Sequence, residues 1–259
     1  MQRHGVFNAN QDKIAARHLP PRLRWCGALL LLLSCASRIF AAGNFGGSLD
    51  LTSDYLVRGI SRTDQQAALQ LDVHYLHSSG LFAGVFASNS RINPYAPRDA
   101  ELSAFLGFAF HPNDDWRSRV VYTHYAYPFN HGGPEYDYDE LNAEIAYQGW
   151  LEFSFVYSPN APRYIPTPYR ELYGVSEQAG EVNLQHPIYK TLSLTGGVGY
   201  AYLHGPQPRG YVYYSAGAAY DFRAFSLSLS YVDTSAGAKT LFYNEAASHR
   251  VVGTLIWRF

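Results

Sequence analysis

Apolar and polar residues alternate along most of this chain from Gly43 onward. Leucine, valine and tyrosine occupy every second position in 69–75, and phenylalanine, leucine and tyrosine alternate with three serines in 225–231. Successive side chains of a β-strand point to opposite faces, so a period of two indicates strands with one apolar face. The pattern therefore predicts an all-β fold.

The alternation divides the chain into about twelve predicted strands. They lie at roughly 47–58, 68–77, 81–90, 100–110, 116–127, 138–147, 150–157, 172–186, 191–203, 211–222, 225–233 and 248–259. The eighth is the weakest, because Gly174 and Gly180 interrupt its pattern. An even number of strands is typical of single-chain bacterial outer-membrane barrels.

The predicted connections between these strands alternate in length. The short connections lie at 77–80, 112–115, 148–149, 187–190 and 223–224, and the longer ones at 59–67, 91–99, 128–137, 158–171, 204–210 and 234–247. Outer-membrane barrels have short periplasmic turns and longer external loops. The fold class we predict is an antiparallel up-and-down transmembrane β-barrel with both chain termini on the periplasmic side.

Alternation alone does not tell which face meets lipid, and a soluble lipocalin-like barrel would carry its apolar face inward. Charges on the opposite face argue against a dry interior, because buried charges are costly. They are Asp50, Asp54, Arg58, Asp72, Arg117, Arg119, Glu140, Glu144 and Glu152. Aromatic residues recur near strand ends, as interfacial girdles require. They are Tyr55, Tyr75, Trp116, Tyr127, Tyr147, Trp150 and Tyr157.

The last strand alternates apolar residues up to Trp257 and Phe259. A terminal phenylalanine that closes such a strand resembles the signal recognised by the outer-membrane barrel assembly machinery. We therefore expect this machinery and outer-membrane lipid as partners, with Trp257 and Phe259 as the assembly signal.

Composition agrees with a membrane-exposed barrel. The chain has 22 Tyr and 15 Phe, and aromatic and charged residues each make up 16%. Residues 1–42 combine several arginines, a short apolar run and small residues, which predicts a secretory signal peptide. Cleavage is expected after Ala41 or Ala42, although the residues up to Cys35 also resemble a lipoprotein cleavage box.

Removal of 1–42 takes away both cysteines, six of 20 basic residues and one of 21 acidic residues, so the domain 43–259 carries a net charge of −6. Such a domain offers no basic surface for phosphates, and no nucleic-acid partner is expected. Without cysteines it also lacks disulfides and thiolate metal ligands. No remaining histidine shows metal-ligand spacing, so neither a metal nor a cofactor is expected.

Residues 53–63 read Ser-Asp-Tyr-Leu-Val-Arg-Gly-Ile-Ser-Arg-Thr and resemble the S-D-Y-x-x-R-G-x-S-x-T motif of the TorF-type porin family, a proteobacterial conserved hypothetical family. The resemblance continues in detail through 68–89, with Arg62 and Phe86 departing from the residues common in that family. It implies an outer-membrane β-barrel of porin character and names no solute.

Charged pairs on the inward face suggest how such a pore would be lined. Asp54 and Arg58 are four residues apart on one predicted strand, and Arg117 and Arg119 face a neighbouring strand with Glu140 and Glu144. Each set is either a salt bridge that stiffens the wall or a constriction that selects ions. We predict a narrow pore for ions or small polar solutes, with a mild preference for cations.

Two alternative functions are also consistent with the sequence. The barrel could be a non-conducting structural or adhesive protein, especially if the proline-rich loop 158–171 folds inward. It could also be an outer-membrane enzyme, since His124, His131, Asp137 and Asp139 fall near one external rim. Nothing local marks a nucleophile, so no catalytic residue is assigned and no enzyme is expected.

Overall fold

The computed structural model describes residues 43–91, 99–129, 136–164, 172–204, 209–242 and 245–259. The predicted signal peptide (1–42), His131 and the second half of the proline-rich loop lie outside these residues. The described chain consists almost entirely of β-strands, with one short helix at Ala236–Leu241. Within it, no helix is long and apolar enough to cross a membrane.

Twelve strands form a closed barrel, and two further short strands, β2 (Leu56–Val57) and β3 (Ile60–Ser61), form a separate hairpin. The barrel strands are β1 (Gly43–Thr52), β4 (Ala68–His77), β5 (Leu81–Ser90), β6 (Asp99–Phe110), β7 (Trp116–Ala126), β8 (Tyr138–Tyr147), β9 (Leu151–Tyr164), β10 (Leu172–Tyr189), β11 (Leu192–Leu203), β12 (Arg209–Phe222), β13 (Phe225–Thr234) and β14 (Arg250–Arg258). Each pairs antiparallel with its neighbour along the chain, and β1 closes the barrel against β14. The predicted up-and-down barrel is confirmed.

The two largest differences between the predicted and observed strand ends are in β1 and β9. The first strand stops at Thr52 instead of residue 58, and 53–67 turns into the barrel. The strand β9 runs on to Tyr164, so Pro159 and Pro162 lie in a strand and not in the predicted external loop. Because β9 pairs with the long β10 across a register shift between Val175 and Glu177, the extra residues still have a strand partner.

The apolar faces of the strands point outward. On β13, Leu227 and Leu229 are 56% and 59% exposed, whereas Ser226 is 6% exposed. Large apolar side chains are exposed on every barrel strand, which in water would be a very large hydrophobic surface. A closed barrel with an apolar outer wall is the architecture of an outer-membrane protein, because lipid replaces water around it.

Aromatic residues beside the short turns form part of the predicted girdle. The Trp116 and Tyr147 rings lie 4.9 Å apart, and Trp150 packs edge-on against Tyr147. The prediction is wrong for Tyr55 and Tyr127, which are 0% and 2% exposed. Both rings point into the barrel because their hydroxyls donate hydrogen bonds to a carboxylate of β6.

Glycines make room for aromatic rings on the inner wall. Phe82 of β5 is paired with Gly107 of β6, and Phe105 of β6 is paired with Gly84 of β5. A side chain at Gly107 would meet the Phe82 ring, and one at Gly84 would meet the Phe105 ring. The two rings, 6.3 Å apart, therefore lie flat over the neighbouring strand and form an apolar cluster with Val121.

Candidate pore constriction

Residues 54–63, which we call the lumen hairpin, fold into the barrel at the end that carries the long connections. Its strands are β2 (Leu56–Val57) and β3 (Ile60–Ser61). Arg58 and Gly59 form the two-residue turn between them, with φ angles of 50° and 78°. Positive φ at both central residues defines a type I′ turn, the geometry that matches the twist of a tight hairpin.

The lumen hairpin contacts the barrel wall on opposite sides. The hydroxyl of Tyr55 donates a 2.8 Å hydrogen bond to Glu101 on β6. Leu56 packs with Val232 and Val252 on β13 and β14. On the β10–β12 side, Ile60 lies in an apolar cluster, which also contains Val175, Ala179, Ala201, Leu203, Tyr211 and Tyr213. The hairpin therefore spans the cross-section instead of lining one wall.

The base of the lumen hairpin is held by the carboxylate of Asp54. It accepts hydrogen bonds from Ser61 at 2.6 Å and Thr63 at 2.8 Å, and Arg250 of β14 forms an ion pair with it at 2.5 Å. The hydroxyl of Thr63 also accepts the backbone N–H of Tyr55. Both ends of the hairpin are thus tied to one buried carboxylate.

The tip of the lumen hairpin places a guanidinium between two carboxylates. Arg58 donates to Glu140 of β8 at 2.6 Å and to Glu177 of β10 at 2.7 Å. All three side chains are nearly buried, so the ion pairs are little screened by water. A non-glycine residue with positive φ costs about 1–2 kcal/mol, and the two ion pairs hold Arg58 in that conformation.

A further carboxylate supports the hairpin from the side. Glu101 is 0% exposed and accepts hydrogen bonds from Tyr55 at 2.8 Å and from Tyr127 at 2.6 Å. Tyr127 belongs to a stacked tyrosine cluster with Tyr125, Tyr136 and Tyr138 at the same end of the barrel. Hydroxyls and rings thus fill the space beside the hairpin.

Below the hairpin, towards the short turns, the lumen is lined by charged residues that are partly exposed; we call this part the periplasmic vestibule. Its ionisable side chains are Asp50, His74, Arg117, Arg119, Glu144, Glu152, Glu181 and Arg258. The buried carboxylate of Asp72 accepts a hydrogen bond from His74 at 2.6 Å. Arg119 of β7 forms an ion pair with Glu144, its register partner on β8. Hence some of these charges are paired, and the vestibule still admits water.

The opposite wall of the vestibule carries small residues. On β11, β12 and β13 the inward positions at this level are Thr195, Gly197, Ser215, Gly217, Ser228 and Ser230. Side chains this short leave the lumen open along this wall. The lumen hairpin closes the same wall above, where a side chain at Gly59 would meet Thr234 and Tyr213. The constriction is therefore the hairpin tip.

The predicted pore-lining residues are distributed over both regions. Asp50, Asp72, Arg117, Arg119, Glu140 and Glu144 occupy inward positions of barrel strands, and their role in a pore stays a prediction. The prediction that Asp54 and Arg58 lie on the first barrel strand is wrong. That strand ends at Thr52, and both residues belong to the lumen hairpin. They also have different ion-pair partners: Asp54 pairs with Arg250 at the hairpin base, and Arg58 pairs with Glu140 and Glu177 at its tip.

Sequence reasoning missed the hairpin and its wall partners Glu101, Glu177 and Arg250. A signal for the hairpin was present. Arg58-Gly59 lies between the apolar residues Val57 and Ile60, and Gln148-Gly149 has the same form and similar positive φ angles at a periplasmic turn. A residue followed by glycine between apolar segments is a hairpin signal. The wall partners are far away in sequence, so no local pattern identifies them.

Of the enzyme-like set at the external rim, the described residues bring His124 and Asp139 together, whereas Asp137 has a different partner. His124 and Asp139 are 2.9 Å apart, and Tyr122 and Asn160 also hydrogen-bond Asp139. Asp137 instead accepts the backbone N–H of Tyr127. The described partners of the His124–Asp139 pair include no serine, threonine or cysteine, and His131 lies outside the described residues.

Residues 41–257 match the sequence profile of a family described as "Bacterial protein of unknown function (Gcw_chp)". The chain belongs to the Gcw_chp family. No curated protein matches this Gcw_chp chain.

Solved structures of outer-membrane porins match the chain at very low sequence identity. The NanC porin superposes with a TM-score of 0.52 at 8% identity, covering 82% of the Gcw_chp chain and 98% of its own chain. The KdgM porin in complex with disordered oligogalacturonate has a TM-score of 0.47 at 8% identity, covering 84% of the Gcw_chp chain and 99% of its own chain. The Salmonella typhi OmpF complex with daunomycin has a TM-score of 0.48 at 8% identity, covering 84% of the Gcw_chp chain and 97% of its own chain. At this identity the similarity to NanC shows the fold.

Proposed function

We propose that this chain is an outer-membrane channel of porin type that passes ions and small polar solutes through a constriction at the lumen hairpin. The observation that carries the proposal is the division of the lumen. A charged vestibule open to water leads from the periplasmic end to a hairpin tip held by ion pairs. A barrel built only as a scaffold has no need for a hydrated, charged half-channel.

Lumen width supports slow passage. Barrels of eight strands are filled by side chains, and those of sixteen or more enclose an aqueous channel. Twelve strands lie between these limits, and the hairpin occupies the external end. The acidic excess of the vestibule favours cations. The resemblance to TorF-type porins agrees with this function, and the proposal includes export by a cleavable signal peptide and insertion by the barrel assembly machinery.

Planar-bilayer conductance tests the proposal. The variant replaces 55–62 by two glycines, which is feasible because Asp54 and Thr63 already contact each other. We expect small conductance steps from the natural chain and steps several times larger from the variant. Gly180→Ala, on an outward position with free space, is the matched control and should conduct like the natural chain. Absence of conductance from all three barrels would overturn the proposal.

One observation favours a second function. The lumen hairpin is buried on all sides and hydrogen-bonded at its base and tip, as expected of a permanent seal. In a sealed barrel the external connections would be the functional surface, as in a structural or adhesive protein. Conductance that appears only after removal of 55–62 would support this second function.

A further inference from the structure

The inference concerns the class of solute that the constriction binds, and it rests on the proposed function. Five glutamates project inward from three adjacent strands. Glu140 and Glu144 lie on β8, Glu152 on β9, and Glu177 and Glu181 on β10. They extend from the hairpin tip down into the periplasmic vestibule and form a continuous acidic stripe. Among the described residues, Arg58 forms ion pairs with the stripe at its top, and Arg119 forms one lower down.

Arg58 is attached to the hairpin and not to the stripe. Its guanidinium is bound through one nitrogen to Glu140 at 2.6 Å and through the other to Glu177 at 2.7 Å. It therefore occupies a site that belongs to the wall, while its backbone belongs to a segment that only passes through the lumen. A cation of the same shape could make these contacts if the hairpin tip withdrew.

A third polar group faces the same site. Ser158 pairs with Glu177 across β9 and β10. Leu141 pairs with Tyr157, which places Ser158 beside Glu140 on the other side. Residue 158 thus lies between the two glutamates in the strand register, and its hydroxyl is buried and has no hydrogen-bond partner among the described residues. A buried hydroxyl normally has a partner, so Ser158 indicates a ligand with more donors than Arg58 brings.

We propose that Glu140, Ser158 and Glu177 form a binding site for guanidinium-type and small ammonium cations, which Arg58 fills when no solute is bound. The carboxylate oxygens only accept hydrogen bonds, and the hydroxyl oxygen can accept one as well. Such a set of acceptors matches a planar cation that has N–H donors on three sides. Among the described residues no set of three His, Cys, Asp or Glu side chains could hold a metal ion, so an organic cation fits better.

The test is chemical rescue of Arg58→Gly in planar bilayers. Glycine accepts the positive φ of this turn and leaves the guanidinium position empty. We expect this variant to conduct several times more than the natural chain. Millimolar guanidinium chloride should block it back towards the natural level, whereas the same concentration of sodium chloride should not. The natural chain should respond little, since Arg58 already fills the site.

The matched control is Arg58→Gly combined with Glu140→Gln and Glu177→Gln. It removes the carboxylates but keeps the opening, so it should conduct and lose the guanidinium block. An equal block in the single and triple variants would overturn the proposed site. If the single variant folds poorly because two buried carboxylates face each other, the readout is its heat-modifiable folded yield. Guanidinium should then raise that yield and sodium should not, and equal yields in both salts would count against the site.

These outcomes separate the two proposals. A folding yield that responds to guanidinium in barrels that never conduct would support the site and reject the channel. Conductance in every barrel without a guanidinium effect would support the channel and reject the site.

Discussion

Phe259 and Gly47 exchange both of their backbone hydrogen bonds, each 3.0 Å long, at the seam where β14 closes onto β1. A side chain at Gly47 would lie 2.8 Å from the Phe259 ring, so the ring covers the glycine. This seam has five register pairs between Ser48 and Thr52, fewer than the ten that β1 makes with β4. The terminal residue therefore adds to the shortest pairing of the barrel.

Phe259→Ser tests this closure together with the predicted assembly signal. Serine keeps the backbone hydrogen bonds but removes the ring that covers Gly47 and meets the interface. We expect normal export to the periplasm, a lower outer-membrane yield and weaker heat-modifiable migration on gels. Phe259→Tyr, which keeps a ring, is the control and should behave like the natural chain. Unchanged yield and migration for the serine variant would show that the ring has no role in assembly.

Sequence periodicity predicts the barrel well because each strand meets lipid on one face and water or packed side chains on the other. On β13 this environment requires alternation of leucine and serine, and the local pattern contains it in full. The same logic fails in 53–58. Tyr55 and Val57 keep the two-residue spacing of the apolar positions of a strand, with Asp54 before and Arg58 after them, yet both are buried inside the lumen. Alternation shows that one face of a segment is apolar, but it does not show whether that face contacts lipid or lies inside the lumen.

The constriction could be predicted only in part. The Arg58-Gly59 turn is local chemistry and readable from two residues. Its partners are not, because Arg58 and Glu177 are 119 residues apart and meet only when the barrel has closed. The ion pair of Arg119 with Glu144 was predictable because the two residues are register partners on adjacent strands. The ion pair of Arg58 with Glu177 joins the lumen hairpin to the barrel wall, so no strand register predicts it.

The ion pair of Arg119 and Glu144 should stabilise the vestibule wall. Both side chains are largely buried, so Arg119→Met leaves a carboxylate without its partner. We expect a loss of about 3 kcal/mol in the free energy of unfolding, near the lower end for a buried pair because water reaches the vestibule. Urea unfolding in lipid vesicles measures it. The double variant Arg119→Met/Glu144→Gln should recover most of the loss, and additive losses would show that the pair is not coupled.

Gly107 should tolerate no side chain while Phe82 is present. A Cβ at Gly107 would lie 2.4 Å from the Phe82 ring and 2.7 Å from the carbonyl oxygen of Val120. We expect Gly107→Ala to lower the free energy of unfolding by about 1–3 kcal/mol through overpacking, as measured by urea unfolding in lipid vesicles. Gly180→Ala is the matched control, because a Cβ there has nothing within 4 Å and alanine should be neutral or stabilising. Equal costs for the two variants would contradict ring-over-glycine packing.

Strand facing is tested most directly by placing one charge on each face of β13. Leu229 points to lipid near the middle of the strand, and its neighbour Ser228 points to the water-accessible lumen. Leu229→Arg should cost about 2–4 kcal/mol in lipid vesicles, since arginine is expensive near the bilayer midplane. Ser228→Arg should cost far less, because lumen water and the acidic stripe can solvate it. In a conducting barrel it should also shift ion selectivity towards anions. A soluble barrel with leucines inside predicts the reverse order, so greater damage from the serine substitution would reject the membrane orientation.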